Sequence, residues 1–235
     1  QKMQSEVIER LISSNKAVEL IRYLHEQCTN EVTLSVLNFL SRQMPQLYST
    51  VLNEGISLHN SVSHHMYGTQ LLQTANQGQI EESKQHLEMS ASLGFSLSFF
   101  VLARLHHEIL HDEQSAFKYA TEGAKSNECY SKCLLGHYIY RGIGIESNKI
   151  VGFHTMIESG ADEKFIDSFS TEIGIGFYTE SQEIEEEKSK KEEYKKKSLD
   201  FIARNFYCIF DKMSFDKMKK SELDYILSSK ELRIE

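Results

Sequence analysis

The stretch AFKYATEGAKSNECYSKCLLGHYIYRGIGIESNKIVGFHTMIESGA, residues 116–161, decides the fold of this chain. An amphipathic segment ends in the small pair Gly123-Ala124, and a second carries Leu135-Gly136 and leads into a glycine turn at 142–145. A third segment again ends in small residues, 159–161. Amphipathic segments separated by glycine are typical of helices joined by short turns. The same layout returns up and down the chain.

The bulk composition favours a helical protein and excludes several functional classes. The 235 residues are 40% hydrophobic, enough for a sizeable core, and include a single proline, Pro45. A net charge of −8 argues against a general nucleic-acid-binding face, because phosphate binding needs basic residues. No apolar run reaches the roughly 18 residues of a membrane span. Four cysteines without disulfide-framework spacing agree with a reducing compartment, so we expect a cytoplasmic protein that does not engage a membrane.

Helical spacing of apolar residues predicts two or three helices within 1–43 and, after the boundary at Pro45, a short helix over Leu47–Gly55. From residue 62 onward the predicted helices form pairs, and Gly78 is expected to break the first helix. These pairs are Val62–Ala75 with Ile80–Leu93, Ser98–Leu110 with Glu113–Ser126, and Tyr130–Tyr140 with Lys149–Ser159.

Small residues recur at matching positions of these pairs. Aligning the second helices places Ser83, Ala116 and Gly152 in one column, at steps of 33 and 36 residues. Adjacent helices pack closely only where side chains are short. A period in the thirties with paired helices predicts an all-α, right-handed α-solenoid of helix-turn-helix repeats. A second column is formed by the small pairs Ser90-Ala91, Gly123-Ala124 and Ser159-Gly160.

The third pair resembles a Sel-one-like repeat, a relative of the tetratricopeptide repeat. The shared positions are Leu135-Gly136 in the first helix, the loop glycines Gly142 and Gly144, and the small residues of the second helix. The earlier pairs depart further, since Ala103 replaces the first-helix glycine and the glycine loop is missing. The resemblance implies a Sel-one-like solenoid over 62–179, in a family that typically assembles protein complexes.

The remaining segments are assigned by composition and by a second resemblance. Residues 1–61 are predicted N-terminal helices, with degenerate repeats as an alternative, and the charge run 180–197 predicts a solvated helix or hairpin. The segment 198–235 resembles the start of a BACK domain, the helical module that usually follows a BTB domain. This implies a ubiquitin-ligase adaptor context. The matching residues are Phe201, Ile202, Asn205, Phe206, Phe215, Met218, Leu223, Ile226, Leu227, Leu232, Ile234 and Glu235. Because position 1 is not methionine, we expect the chain to be part of a longer protein.

One string suggests an enzyme. His107-Glu108-Ile109-Leu110-His111 matches HExxH, which on a helix places two imidazoles on one face for zinc with a glutamate to activate water. The string lies at a predicted helix end, Asp112 follows it directly, and no downstream pattern supplies a third ligand. We therefore expect a non-catalytic protein without a metal or cofactor, and keep a zinc-dependent hydrolase as the alternative.

Three further groups of residues have simpler interpretations. Cys129, Cys133 and His137 lie four apart and could share a helix face with a metal, but packing within the repeat is the better interpretation. The glycines at 142 and 144 lack the strand and third glycine of a dinucleotide site, so a turn explains them. His64-His65 are expected to cap a helix or face solvent.

A solenoid presents a long concave surface, so we expect an adaptor or scaffold that binds peptides or helices of other proteins. A structural spacer between flanking domains is a further alternative. No small-molecule substrate is expected. The candidate contact residues are polar or aromatic positions on the first helices, namely Tyr67, Gln70, Arg104, His107, His137, Tyr138 and Arg141.

Overall fold

The computed structural model describes residues 2–73, 76–169, 188–206 and 218–230, together with residues 174, 178 and 232. Within these ranges the regular structure is helical and no strand occurs, which confirms the predicted all-α class. The helices are α1 (Lys2–Ser13), α2 (Ala17–Gln27), α3 (Asn30–Gln43), α4 (Pro45–Ser57), α5 (Ser61–Gln73), α6 (Gln77–Ser92), α7 (Leu97–Arg104), α8 (Glu113–Lys125), α9 (Cys129–Arg141), α10 (Lys149–Ile157), α11 (Glu163–Asp167), α12 (Lys188–Arg204) and α13 (Lys220–Ser228). A π-helical turn, Leu105–Ile109, continues α7.

The chain forms two compact units, Gln1–Glu128 and Cys129–Glu235. The first contains α1 to α8 and the second α9 to α13. The predicted boundary at 61/62 lies inside the first unit, because Val62 of α5 shares one core cluster with Leu20 and Leu37. The described part of the charge run 180–197 is residues 188–197, which belong to α12. There Lys197 pairs with Glu193 at 2.8 Å.

Each second helix begins at a capping residue that the sequence analysis overlooked. The side-chain oxygens of Asn76, Asp112 and Asn148 accept hydrogen bonds from the backbone N–H three residues later, at 3.1, 3.0 and 3.0 Å. Such caps satisfy one of the N–H groups that a helix start leaves unpaired. The three positions are 36 residues apart in each step. The prediction that Gly78 breaks the helix before it is therefore wrong, because Gly78 lies inside α6, which Asn76 caps.

Left-handed residues follow the second helices at an equally regular spacing. Gly94, Asn127 and Gly160 have φ values of 89°, 57° and 78° and lie 33 residues apart. The helix starts are therefore 36 residues apart and the helix ends 33. The difference arises because α6 has 16 residues and α8 has 13, so α6 carries about one additional turn at its start. In the third pair α10 ends at Ile157, so Ser159-Gly160 terminates the helix instead of lying within it.

Short side chains lie where the two helices of a pair approach, as the column of small residues predicts. The Ser83 hydroxyl donates to the Gly68 carbonyl oxygen at 2.7 Å. A Cβ atom placed on Gly136 would lie 2.7 Å from the carbonyl oxygen of Gly152. Contacts this close exclude larger side chains, since protein interiors are packed at near-crystalline density.

Each unit has its own apolar core. In the first unit, Leu20, Leu37 and Val51 belong to a cluster that spans α1 to α5. In the second, Phe153, Met156 and neighbouring side chains pack between α9 and α10, and a separate cluster joins α12 to α13. None of the helices in the described ranges combines the length and the apolar character needed to cross a bilayer.

Candidate peptide-binding groove

A groove of about 760 Å³ opens on the first unit, lined by α3, α4 and α5 and by Leu97 at the start of α7. Apolar side chains contribute part of its wall, among them Leu34, Tyr48, Leu52 and Met66. Most of the rest is contributed by uncharged polar side chains, and Arg42 adds a charged one. The uncharged polar residues are Asn38, Ser41, Ser49, Asn53, Thr69, Gln70 and Gln73. The groove therefore offers both apolar contact and hydrogen-bonding capacity along three neighbouring helices.

Two of the predicted contact residues, Tyr67 and Gln70, lie in this groove. The Tyr67 hydroxyl donates to Glu82 Oε1 at 3.1 Å, and its ring packs edge-on against His86 at 4.7 Å. Those two contacts to α6 hold the Tyr67 side chain in place. Gln70 is exposed one turn further along α5.

Arg104 and His107 are not among the residues that line the groove. The Arg104 guanidinium binds both carboxylate oxygens of Glu108, at 2.7 and 2.8 Å, and lies 5.8 Å from the centre of the Phe100 ring. His107 is half-buried in the π-helical turn. A partner that bound Arg104 would have to displace Glu108 from its guanidinium.

The other three predicted residues lie on α9, in the second unit. Tyr138 has 1% of its surface exposed and packs in the core, which corrects its prediction as a contact residue. The His137 ring lies 4.6 Å from the Phe169 ring and is half-buried. Arg141 is exposed at the last residue of α9.

A buried chain of hydrogen bonds runs beneath the groove. His65 Nδ1 lies 2.9 Å from Ser98 Oγ, Ser98 donates to Ser90 Oγ at 2.7 Å, and Ser90 donates to the Ser61 carbonyl oxygen at 2.7 Å. Because each serine has already donated its one hydroxyl proton, Nδ1 of His65 must be the donor to Ser98. Burial lowers the pKa of His65 to about 4, so the ring is neutral at pH 7 with Nε2 as an acceptor.

The expectation that His64 and His65 cap a helix or face solvent is wrong, because both side chains are buried. His64 Nδ1 lies 2.8 Å from His86 Nδ1, so one neutral ring donates to the other. Burial, followed by the nearby His86 and His59, lowers the pKa of His64 to about 4. The sequence did contain a signal for this cluster. Serines and histidines occupy positions 61 and 63–65 of α5 that, by helical spacing, include its packed face, where apolar residues are usual.

The HExxH string does not form the helical zinc motif. Its helix ends at Ile109, and His111 lies beyond it with a left-handed φ of 54°. Glu108 is held by Arg104. Asp112 caps α8 and lies 3.4 Å from Nδ1 of His106, a neighbour of the string that packs against Tyr119. No group of three His, Cys, Asp or Glu side chains arranged to hold a metal occurs in the part of the chain that the structure describes.

The remaining sequence candidates have structural roles. Cys133, the middle member of the possible ligand trio on α9, is buried in the core of the second unit. Gly142 and Gly144 adopt left-handed φ values of 78° and 69° and form the turn after α9. The backbone N–H of Ile143 bonds to the carbonyl oxygen of Tyr138 at 2.9 Å, which anchors that turn.

Comparison of the sequence with profiles of known protein families and with curated proteins gives no match. The functional argument therefore depends on the geometry of the groove and on the residues that line it.

Proposed function

We propose that this chain is a non-catalytic protein-interaction module of the adaptor or scaffold type, which holds a segment of a partner protein in the groove of the first unit. The observation that carries the proposal is the groove itself, about 760 Å³ in volume, with Tyr67 and Gln70 in its wall. A surface of apolar and mostly uncharged polar side chains, spread over three helices, suits a polypeptide segment.

The hydrogen bonding beneath the groove supports binding over catalysis. A histidine and a serine are adjacent there, but His65 donates to Ser98, whereas a nucleophilic serine must donate its proton to the histidine. Ser98 is also fully buried, so its hydroxyl cannot reach a substrate in the groove. The pair therefore serves to position the His65 ring.

The finer architecture belongs to the same proposal. We propose that the helix pairs are Sel-one-like repeats of a right-handed α-solenoid, supported by capping residues 36 residues apart and by the small residues at the helix contacts. Small residues at matching positions of successive pairs are what close, repeated helix packing requires. The proposal includes a cytoplasmic location, favoured by the cysteine pattern, and a binding role without a small-molecule substrate or cofactor, favoured by the solenoid architecture.

The BACK-like segment gives the adaptor proposal a narrower form. Its residues Ile202, Met218 and Ile226 share one core cluster, as the apolar positions of a packed helical module should. Phe215, Ile234 and Glu235 lie outside the described residues. A role in assembling a cullin-type ubiquitin ligase rests on this resemblance.

The proposal is tested by blocking the groove with a bulky side chain and comparing the set of bound proteins. Gln70 is exposed in the groove, and Gln114 is exposed at the start of α8, away from it. The partners compared are those that, once purified, bind the wild type directly. We expect Gln70→Trp to bind them at least about tenfold more weakly. Gln114→Trp should retain them. Equal retention by both variants would refute the groove as the binding surface.

A further inference from the structure

We infer that the groove takes an extended peptide segment with an acidic side chain, whose backbone pairs with carboxamide side chains and whose carboxylate pairs with Arg42. This inference rests on the proposed function and narrows it, since peptides and helices are both conceivable occupants of a helical groove. Three properties of the lining support it: its free carboxamides, its single charge and the acceptor on His65.

Four carboxamide side chains lie in the groove, on Asn38, Asn53, Gln70 and Gln73. Within the described residues none of them forms a side-chain hydrogen bond. Each carboxamide offers both N–H donors and a carbonyl acceptor. An extended peptide has unpaired backbone N–H and C=O groups that need both kinds of partner, whereas a helix has already paired its own. The lining therefore matches an extended segment better than a helix.

Each of the three helices that line the groove contributes both apolar and polar side chains. Leu34 lies on α3, Leu52 on α4 and Met66 on α5, with Leu97 contributed by α7. A docked amphipathic helix needs a continuous apolar stripe, but an extended segment needs separate contacts for alternate side chains. The mixed lining again favours the extended form.

Arg42 is the one charged group among the lining residues at pH 7, because the ring of His65 is neutral. It is exposed in the last turn of α3 and forms no ion pair within the described part of the chain. A guanidinium binds a carboxylate through two parallel N–H bonds. An acidic side chain of a bound segment therefore complements the one charge that the groove presents.

His65 contributes a fixed acceptor. Because its Nδ1 proton is donated to Ser98, the lone pair on Nε2 can receive a backbone N–H of the bound segment. The buried serines beneath it hold the ring, so this acceptor needs no reorientation when a peptide binds. Pre-organised groups of this kind reduce the cost of binding.

The test uses a library of randomised twelve-residue peptides displayed against the full chain, with Arg42→Glu and a matched control, Arg22→Glu. Arg22 is exposed on α2 and does not line the groove. We expect the wild type and Arg22→Glu to enrich peptides with Asp or Glu at one fixed position. Arg42→Glu should bind synthetic versions of them at least about tenfold more weakly and should enrich Lys or Arg at that position instead.

The same peptides decide between the extended and helical forms. Lactam cross-links that enforce a helix in the peptides should abolish binding. A proline placed next to the acidic residue should be tolerated in some of the enriched peptides. The inference would be overturned if the enriched peptides bound better when helical, or if Arg42→Glu enriched the same acidic peptides as the wild type. Either result would leave the proposed function standing. If Gln70→Trp captures the same peptides as the wild type, the groove is not the binding surface and both proposals fail.

Discussion

The helix pairs α5–α6 and α9–α10 achieve close packing by different means. In α5–α6 one glycine, Gly68, faces Ser83 and Leu87, and the contact is reinforced by serine hydroxyls and a histidine pair. In α9–α10 two glycines, Gly136 and Gly152, bring backbone against backbone. The first contact depends on hydrogen bonds and on neutral histidines, and the second on the absence of side chains.

One sequence rule thus covers two physical arrangements. The rule that small residues mark helix contacts holds in both pairs. What it does not reveal is whether the neighbouring atoms are backbone, which cannot move aside, or side chains, which can. The two pairs should therefore respond differently to added bulk, to acid and to the removal of a hydroxyl.

The largest effect is expected from Gly152→Ala. Its added Cβ would lie 2.5 Å from the backbone nitrogen of Tyr140 and 2.6 Å from the Gly136 carbonyl oxygen. Since backbone atoms within a helix pair cannot shift independently, we expect a loss of roughly 3 kcal/mol or more in the unfolding free energy of the second unit. Hydrogen exchange of α9 and α10 peptides measures it.

Gly68→Ala is the comparison in the first unit. Its Cβ would lie 2.9 Å from Cγ of the Leu87 side chain, and the nearest backbone atom, the Ser83 carbonyl oxygen, would be 3.1 Å away. Because both contacts are longer than those of Gly152 and the nearer one is to a side chain, a smaller loss of about 1–2 kcal/mol is expected. Gly78→Ala is the control, because its Cβ would meet only Asn76 Oδ1, at 3.5 Å. If Gly152→Ala cost no more than Gly68→Ala, the contrast between the two pairs would be wrong.

Acid should weaken the first unit through His64 and His65. Their pKa values are about 4 in the folded protein and near 6.5 in an unfolded chain, so the unfolded chain binds more protons between these values. Stability is therefore full at neutral pH and falls as the pH drops from about 6.5 towards 4. Each group contributes on the order of 2–3 kcal/mol to that loss.

Denaturant unfolding of the first unit at a series of pH values checks this slope. His64→Gln should make it shallower over the same window, because one proton fewer is taken up on unfolding. His154→Gln makes the matched change on α10 of the second unit and should leave the slope of the first unit unaltered. A slope that His64→Gln does not change would assign the acid sensitivity to other groups.

The effect of removing the Ser83 hydroxyl should be smaller. Ser83→Ala deletes the 2.7 Å hydrogen bond to the Gly68 carbonyl oxygen but leaves the close contact itself intact. A single buried hydrogen bond contributes about 1 kcal/mol, with a similar cost for the acceptor left behind. We expect a loss of about 1–2 kcal/mol in thermal or denaturant unfolding. A loss as large as that of Gly152→Ala would show that the first pair depends on one bond.

The smallest of these effects concerns the caps. Asp112→Ala and Asn148→Ala remove side-chain oxygens that accept from the first turns of α8 and α10. Asp112 lies in the first unit and Asn148 in the second. Each substitution should lower the stability of its helix start by about 1 kcal/mol, measured by hydrogen exchange of the first-turn amides. Asp112→Asn is the control, since asparagine caps as well as aspartate. Equal losses in Asp112→Asn and Asp112→Ala would assign the effect to the charge of Asp112 instead.

Much of the fold could be predicted from the sequence because its strongest signals are local. Helical spacing and glycines located the helix pairs, and the column of small residues placed Ser83 and Gly152 at close helix contacts. The caps were missed because Asn76 and Asn148 resemble ordinary loop residues until their oxygens are seen to accept from the next turn. Tyr138 was assigned to the surface because a tyrosine on α9 suits a binding face as well as a core.

The groove could be predicted only in part. Tyr67 and Gln70 were expected on the binding face from their helix, but Arg42, Asn38 and Asn53 lie in the N-terminal helices, outside the recognisable repeats. The hydrogen-bond chain from His65 to Ser61 links positions up to 37 residues apart in sequence. No spacing rule connects such residues, since their meeting depends on how α5, α6 and α7 pack.

Photo-crosslinking from the groove tests whether a segment of a partner protein binds there. Benzoylphenylalanine would replace Asn53, exposed in the groove, or Gln114, exposed on α8 outside it, and each protein would be irradiated with a partner that the wild type binds directly. We predict adducts from position 53 that map to one short continuous segment of the partner, and none from position 114. Adducts of equal yield from both positions, or none from position 53, would contradict the account.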